Sequence, residues 1–212
     1  MAGVIQAGEL IAEYAKQCLP NYQVFDEKRY FAAGDQACVF DLKGVPTALT
    51  ICEDIWHAAP MAQAKAAGAK LMLNLNASPY HQGKQAEREA IVAARAQEGD
   101  MPVVYVNLVG GQDELVFDGG SVVLDAQGQT QFRAPAYQED LFVAHIHLNK
   151  IELNQNAVSV PAQHLSPIPC NHEAVYQALV LGMRDYVNKN RFKGAVLGLS
   201  GGIDSALTLA LA

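Results

Sequence analysis

The chain has 212 residues, half of them apolar and 17% charged, with a formal net charge of −7. That balance supplies a globular core and gives no reason to expect a nucleic-acid partner. No apolar run reaches the roughly 18 residues of a membrane span, and Met1-Ala2-Gly3-Val4 lacks the basic and apolar regions of a signal peptide.

Taken in chain order, Gly3 to Gln6 and Glu9 to Ala15 read as strands joined by an Ala-Gly turn. Asn21 to Gly34 is irregular, polar and aromatic. Cys38 to Leu42 and Pro46 to Cys52 form a strand pair around Lys43-Gly44. Pro60 to Ala67 is an Ala-rich helix, and Lys70 to Leu75 a short apolar strand. Gly83 to Glu98 is a helix with charge at Lys84, Glu87, Arg88 and Glu89 and apolar residues at Ile91 and Val92. Pro102 to Leu108 has a buried-strand pattern, and Ser121 to Leu124, Thr130 to Phe132 and Leu141 to His147 complete the sheet-forming part. Strands alternating with helices argue an α/β layered domain. From Leu153 to Cys170 the texture becomes that of a linker, with Pro161, Pro167 and Pro169 among Asn, Gln and Ser. An amphipathic helix over His172 to Lys189 follows.

The four cysteines, Cys18, Cys38, Cys52 and Cys170, show no CxxC spacing, which favours a reducing cytoplasm over a zinc site or a disulfide framework. His145 and His147 share one face of a strand, and without a third ligand they read as polar strand residues. Asp54, Trp56 and His57 read as loop-packing residues. Asp113, Glu114 and Asp118 read as an acidic loop.

Two motifs carry chemistry. Ser200-Gly201-Gly202-Ile203-Asp204-Ser205 lies between an apolar strand-like stretch, Ala195 to Leu199, and an apolar helix-like stretch, Ala206 to Ala212. Adjacent glycines let backbone N–H groups approach an anion, and the helix N-terminus adds its positive end. Ser200 and Ser205 add hydroxyl donors, and Asp204 suits a magnesium ion. The run is a phosphate cradle without the Walker lysine, and it resembles the pyrophosphate loop of N-type ATP pyrophosphatases. The second motif is Cys52, at the end of the strand Thr47-Ala48-Leu49-Thr50-Ile51 and followed by Glu53-Asp54. A thiol there faces a cleft but needs a neighbour to ionise it.

Three segments supply a context: Tyr14-Ala15-Lys16 with Leu19-Pro20-Asn21-Tyr22, then Ile51-Cys52-Glu53-Asp54, then Asn74-Leu75-Asn76-Ala77-Ser78-Pro79-Tyr80. In this order and spacing they resemble the nitrilase superfamily of carbon–nitrogen hydrolases. Within it they resemble the glutaminase domains of glutamine-dependent NAD synthetases, and Tyr105 to Ser121 strengthens the likeness. The resemblance implies an incomplete nitrilase-like α-β-β-α layered domain over residues 1–150 and a linker over 151–170. Over 171–212 it implies the first helix–strand–helix of a Rossmann-like adenine nucleotide hydrolase domain.

It also implies roles. Cys52 is the nucleophile that forms a thioester with glutamine and releases ammonia. Lys16 is the catalytic lysine, stabilising the oxyanion together with the Glu53 backbone N–H. Tyr22, Glu53, Ser78 and Lys84 bind glutamine, and Glu27 supports the site. Ser200, Gly201, Gly202, Asp204 and Ser205 bind ATP, with Asp204 on Mg²⁺. The ammonia then amidates an adenylate of deamido-NAD. The expected enzyme is a cytoplasmic homo-oligomer. The family's general-base glutamate lies well before the catalytic lysine, and Glu9 and Glu13 sit too close to Lys16 to replace it. The chain therefore reads as a fragment cut at both ends, impaired alone in thioester chemistry. A stand-alone amidase, a synthetase with another acceptor, and an inert remnant are the competing readings.

Overall fold

A computed structural model describes residues 1–22, 24–148 and 158–212. β1 (Ala2–Gln6) and β2 (Glu9–Tyr14) form an antiparallel hairpin. A single helical turn, α1 (Glu27–Tyr30), precedes β3 (Cys38–Leu42) and β4 (Val45–Ile51). A 3₁₀ turn (Cys52–Trp56) leads into α2 (Ala58–Ala66), then β5 (Leu71–Asn76), α3 (Lys84–Gly99) and β6 (Val103–Asn107). β7 (Val109–Gln112) and β8 (Leu115–Asp118) make a second hairpin. β9 (Val122–Leu124) and β10 (Thr130–Arg133) follow.

The main sheet has the order β10-β9-β6-β5-β4-β3, with β4, β5 and β6 parallel at its centre. Their apolar runs suit strands covered on both faces. One face meets α2 and α3 through Ala48, Met61, Met72, Val92, Ala96 and Val103. The other is covered near β4 by the β1–β2 hairpin, where Tyr14 packs on Leu49, and near β9 by Phe142, Ala144 and Ile146. Ligand sites in such sheets lie beyond the carboxyl ends of the parallel strands. Cys52 directly follows β4, and Ser78 comes two residues after β5.

Several expectations need correction. Leu141 to His147 alternates exposed and half-buried side chains as an extended strand does, yet among the described residues only His147–Leu148 (β11) forms a ladder, with Val158–Ser159 (β12). His145 makes its backbone bonds with the Gln163 side chain instead. The hairpin over Val109–Asp118 is hidden in the sequence because two glycines and an acidic turn mask its alternation. Asp113 takes a left-handed φ of 51° at that turn, while Asp118 is buried at the hairpin's base, so the acidic loop is no cluster. Ala195 to Leu199 forms no strand. All five residues are exposed, and a strand needs a neighbour to share its backbone hydrogen bonds.

Of the expected linker, 151–157 lies outside the described residues. Beyond it, Val158 and Val160 are buried. Residues 163–166 lie along the free edge of β10, with Gln163 N–H donating to Gln131 O and Ser166 N–H to Arg133 O. α4 (Asn171–Lys189) then docks on the second hairpin: Gly111 N–H donates to Asp185 Oδ2 at 2.8 Å, and a Cβ on Gly111 would stand 3.0 Å from Gly182 Cα. α5 (Ile203–Leu211) ends the described chain.

Candidate active site

Cys52 occupies a left-handed backbone position, φ 46°, as the first residue of the 3₁₀ turn that follows β4. Strain of this kind in a residue other than glycine persists only where its surroundings enforce it. Burial pushes the thiol above its ordinary value, and the Lys16 charge and the Ala77 backbone pull it back down. Glu53 and Glu27 act in the same upward direction as burial.

Lys16 comes from the segment after β2, 36 positions from Cys52 in sequence. Its Nζ lies 2.7 Å from both oxygens of Glu27, and only 12% of its side chain is exposed. An ammonium chelated in that way is held in place. Tyr22 is half exposed, and its hydroxyl donates to Glu53 Oε2 at 3.0 Å. Burial and then that carboxylate push the Tyr22 phenol up to about 12. His57 Nε2 lies 3.7 Å from Glu53 Oε1. Thus Lys16, Glu27 and Tyr22, from elements separate in sequence, lie close to Cys52 and Glu53 on the turn after β4.

Ser78 is buried. Its N–H donates to Asn107 Oδ1 at 2.9 Å, and its hydroxyl and carbonyl both take hydrogen bonds from Arg88. Lys84 Nζ donates to Glu87 Oε2 at 2.9 Å and stands 3.8 Å from the centre of the Trp56 ring, a cation–π position. Glu9 and Glu13 are exposed on β2.

Two residues that reading by sequence undervalued dominate the site's support. Asp54, 1% exposed, accepts four hydrogen bonds. Arg88, also 1% exposed, makes a two-pronged ion pair with Asp118 at 2.9 and 2.7 Å. A signal for Arg88 existed. It falls four positions before Val92 and eight before Ala96, on the buried stripe of α3, although its charged neighbours suggested a solvated face.

The loop from Ser200 is built differently. Gly201 has φ +85°, Ser200 Oγ and Ser205 Oγ lie 3.1 Å apart, and Ser205 donates to Gly202 O at 3.0 Å. Ser200 to Asp204 are exposed, and Asp204 stands in the first turn of α5 with no side-chain partner among the described residues.

The profile of the carbon–nitrogen hydrolases matches residues 3–154, and that of NAD synthase matches residues 175–212. The chain belongs to the carbon–nitrogen hydrolase family. It is 44% identical over 215 residues to the glutamine-dependent NAD(+) synthetase of Xylella fastidiosa, covering 100% of this chain and 38% of that relative. The counterpart from Aquifex aeolicus is 40% identical over 234 residues, covering 99% and 41%. A solved glutamine-dependent NAD+ synthetase from Acinetobacter baumannii, in complex with ADP, superposes with a TM-score of 0.89 at 40% identity, over 99% of this chain and 39% of that one. A mutant amidase from Nesterenkonia sp., with acrylamide added at its active-site cysteine, superposes with a TM-score of 0.53 at 30% identity, over 60% of this chain and 49% of that one. The chain thus spans 38% of the length of the Xylella relative. The carbon–nitrogen hydrolase match over residues 3–154 is thus followed by the NAD synthase match over residues 175–212.

Proposed function

We propose that the longer protein containing this chain is a glutamine-dependent NAD synthetase and that this chain carries its ammonia-releasing site. The observation that supports the reading most is the convergence of Lys16, Glu27, Tyr22 and Glu53 on Cys52. In this scheme the Cys52 sulfur attacks the side-chain amide carbon of glutamine, and the tetrahedral oxyanion forms beside the Lys16 ammonium. The C–N bond then breaks, ammonia leaves, and water hydrolyses the thioester to glutamate. The thiol's raised pKa means that Cys52 is mostly protonated near neutral pH, so a proton acceptor is required. The family resemblance assigns that role to a general-base glutamate.

In this reading Glu53, tied to Tyr22, engages the amino group of glutamine, and Glu27 holds Lys16 in position. Lys84, over the ring of Trp56 four residues after Cys52, would take the substrate carboxylate. Ser78 shapes the pocket through its bonds to Arg88 and Asn107. Ser200, Gly201, Gly202 and Ser205 would hold the phosphates of ATP. Asp204 would hold Mg²⁺, which takes one or two carboxylates together with phosphate oxygens. ATP supplies the adenylate of deamido-NAD that ammonia then converts to NAD, with AMP and pyrophosphate released. The setting is a cytoplasmic homo-oligomer. Four free cysteines suit that compartment, and among the described residues no helix is long and apolar enough to cross a membrane.

The test is a pair of assays on the longer protein. Cys52→Ala should abolish NAD formation from glutamine while leaving formation from added ammonium intact. Loss of both activities, or of neither, would refute the assignment.

A further inference from the structure

Cys52 and Lys16 are delivered by unconnected elements, so something must fix the gap between them. Hydrogen bonding within one element cannot do this, because β2 and β4 belong to different sheets. One side chain touches both approaches. Asp54 Oδ1 accepts from Gln17 N–H at 3.1 Å and from Cys18 N–H at 2.8 Å, the two backbone groups directly after Lys16. Its Oδ2 accepts from Ile51 N–H at 3.0 Å, the backbone group directly before Cys52, and from the Tyr14 hydroxyl at 2.9 Å. All four acceptor positions of the carboxylate are used.

We propose that Asp54 is a positioning residue of the site, a single carboxylate that fixes the backbone following Lys16 against the backbone leading into Cys52, while Glu27 holds the Lys16 ammonium itself.

Three observations carry this. Asp54 is 1% exposed and has no cation within ion-pairing distance among the described residues, so its charge is balanced by four N–H and O–H donors alone. A buried carboxyl group with that many donors organises whatever donates to it. Second, the bond to Ile51 closes a ring over the left-handed turn at Cys52, the strained position that aims the thiol. Third, the Tyr14 ring is buried between β2 and the sheet, so the Asp54–Tyr14 bond ties the whole β1–β2 hairpin to the nucleophile turn. The other anchor on Lys16's backbone, Gly34 N–H donating to Lys16 O, reaches neither β4 nor Cys52. An Asn at position 54 would turn an NH₂ group toward two donors, so even this near-isosteric change should open the linkage.

The proposal rests on the reading of Cys52 and Lys16 as nucleophile and charged partner, and the experiment separates the two. The 212-residue chain is treated with iodoacetamide across a pH series, and the Cys52 adduct is followed by mass spectrometry of its peptide. Lys16→Gln should raise the apparent pKa of Cys52 and slow its alkylation at neutral pH about tenfold, the equivalent of one pKa unit. No change in that variant would refute the underlying reading, whatever Asp54 does. Asp54→Asn should shift the profile in the same direction by a similar factor. The double variant should be no more than about twofold slower than Lys16→Gln alone, since coupled residues depart from additivity. An unchanged profile in Asp54→Asn, or two effects that multiply to about a hundredfold, would overturn the proposal. Should Asp54→Asn fail to fold by circular dichroism, Tyr14→Phe carries the test. It removes one of the four donors and should raise the Cys52 pKa by a smaller amount, and an unchanged profile there would overturn the proposal equally.

Discussion

Around Cys52, each group that a reaction would use is gripped by a residue distant in the chain. Lys16 is held by Glu27, the nucleophile turn is tied through Asp54 to Tyr14, Gln17 and Cys18, and Ser78 is held by Arg88 and Asn107. Around Ser200, the hydrogen bonds of the described residues all stay within the local run, from Ser200 to Thr208, and the loop is exposed. Both motifs are equally plain as strings of letters. The difference shows that a motif names a chemistry, whereas long-range bonds to a rigid scaffold make a site able to perform it. The cysteine region has its sheet and its helix layer. The phosphate loop has one helix before it, one after it, and no strand beside it among the described residues.

The largest effect that would sharpen this contrast is at Arg88. Arg88→Met leaves Asp118 buried without its partner and should destabilise the chain by about 3–5 kcal/mol in urea denaturation. A loss below about 1 kcal/mol would mean that the region around Ser78 is not braced as described. Next comes the contact between the two parts. Gly111→Ala places a methyl group against the backbone of α4 and should cost about 1–3 kcal/mol, with faster proteolysis within residues 171–189. Unaltered proteolysis would mean that α4 is not docked there.

A smaller effect concerns acid. Burial alone would raise the Glu89 carboxyl, but its bonds from Arg133, Gln85 and Thr130 outweigh burial and hold it below its ordinary value of 4.5. A group whose pKa is lowered on folding stabilises the fold above the unfolded value, and that stability is lost as pH falls through the folded value. Stability should therefore drop below pH 4.5, and Glu89→Gln should flatten that drop. An identical pH profile in the variant would remove Glu89 from the account. The smallest effect should be at the loop. Ser200→Ala should change the stability of this chain by no more than about 0.5 kcal/mol. A loss several times larger would show that the loop is tied to the scaffold after all.

What could be read in advance follows the same division. The parallel strands β4, β5 and β6 and the helices between them were legible because their apolar runs and helical spacing are local signals. The convergence of Lys16, Tyr22 and Glu27 on Cys52 was legible only through resemblance, since no spacing rule brings residues 36 positions apart together. Asp54 and Arg88 were hidden for one physical reason: a buried charge looks in sequence like a solvated one until its donors or its counter-ion are in view. Ala195 to Leu199 fails in the opposite direction. Its pattern is that of a strand, but pairing is a property of neighbours and not of the segment.

The central claim is that the surroundings of Cys52 make it the reactive thiol of this chain. Of the other cysteines, Cys38 is buried, Cys170 is exposed, and burial followed by the Asp54 charge pushes Cys18 up to about 11. A glutamine-shaped electrophile, such as a chloroketone analogue, should therefore label one cysteine at low concentration, and free glutamine should protect it. Mass spectrometry that places the adduct on Cys52, with labelling lost in Lys16→Gln, is the predicted result. An adduct on Cys170 or Cys18 in place of Cys52, unaffected by glutamine, would contradict it.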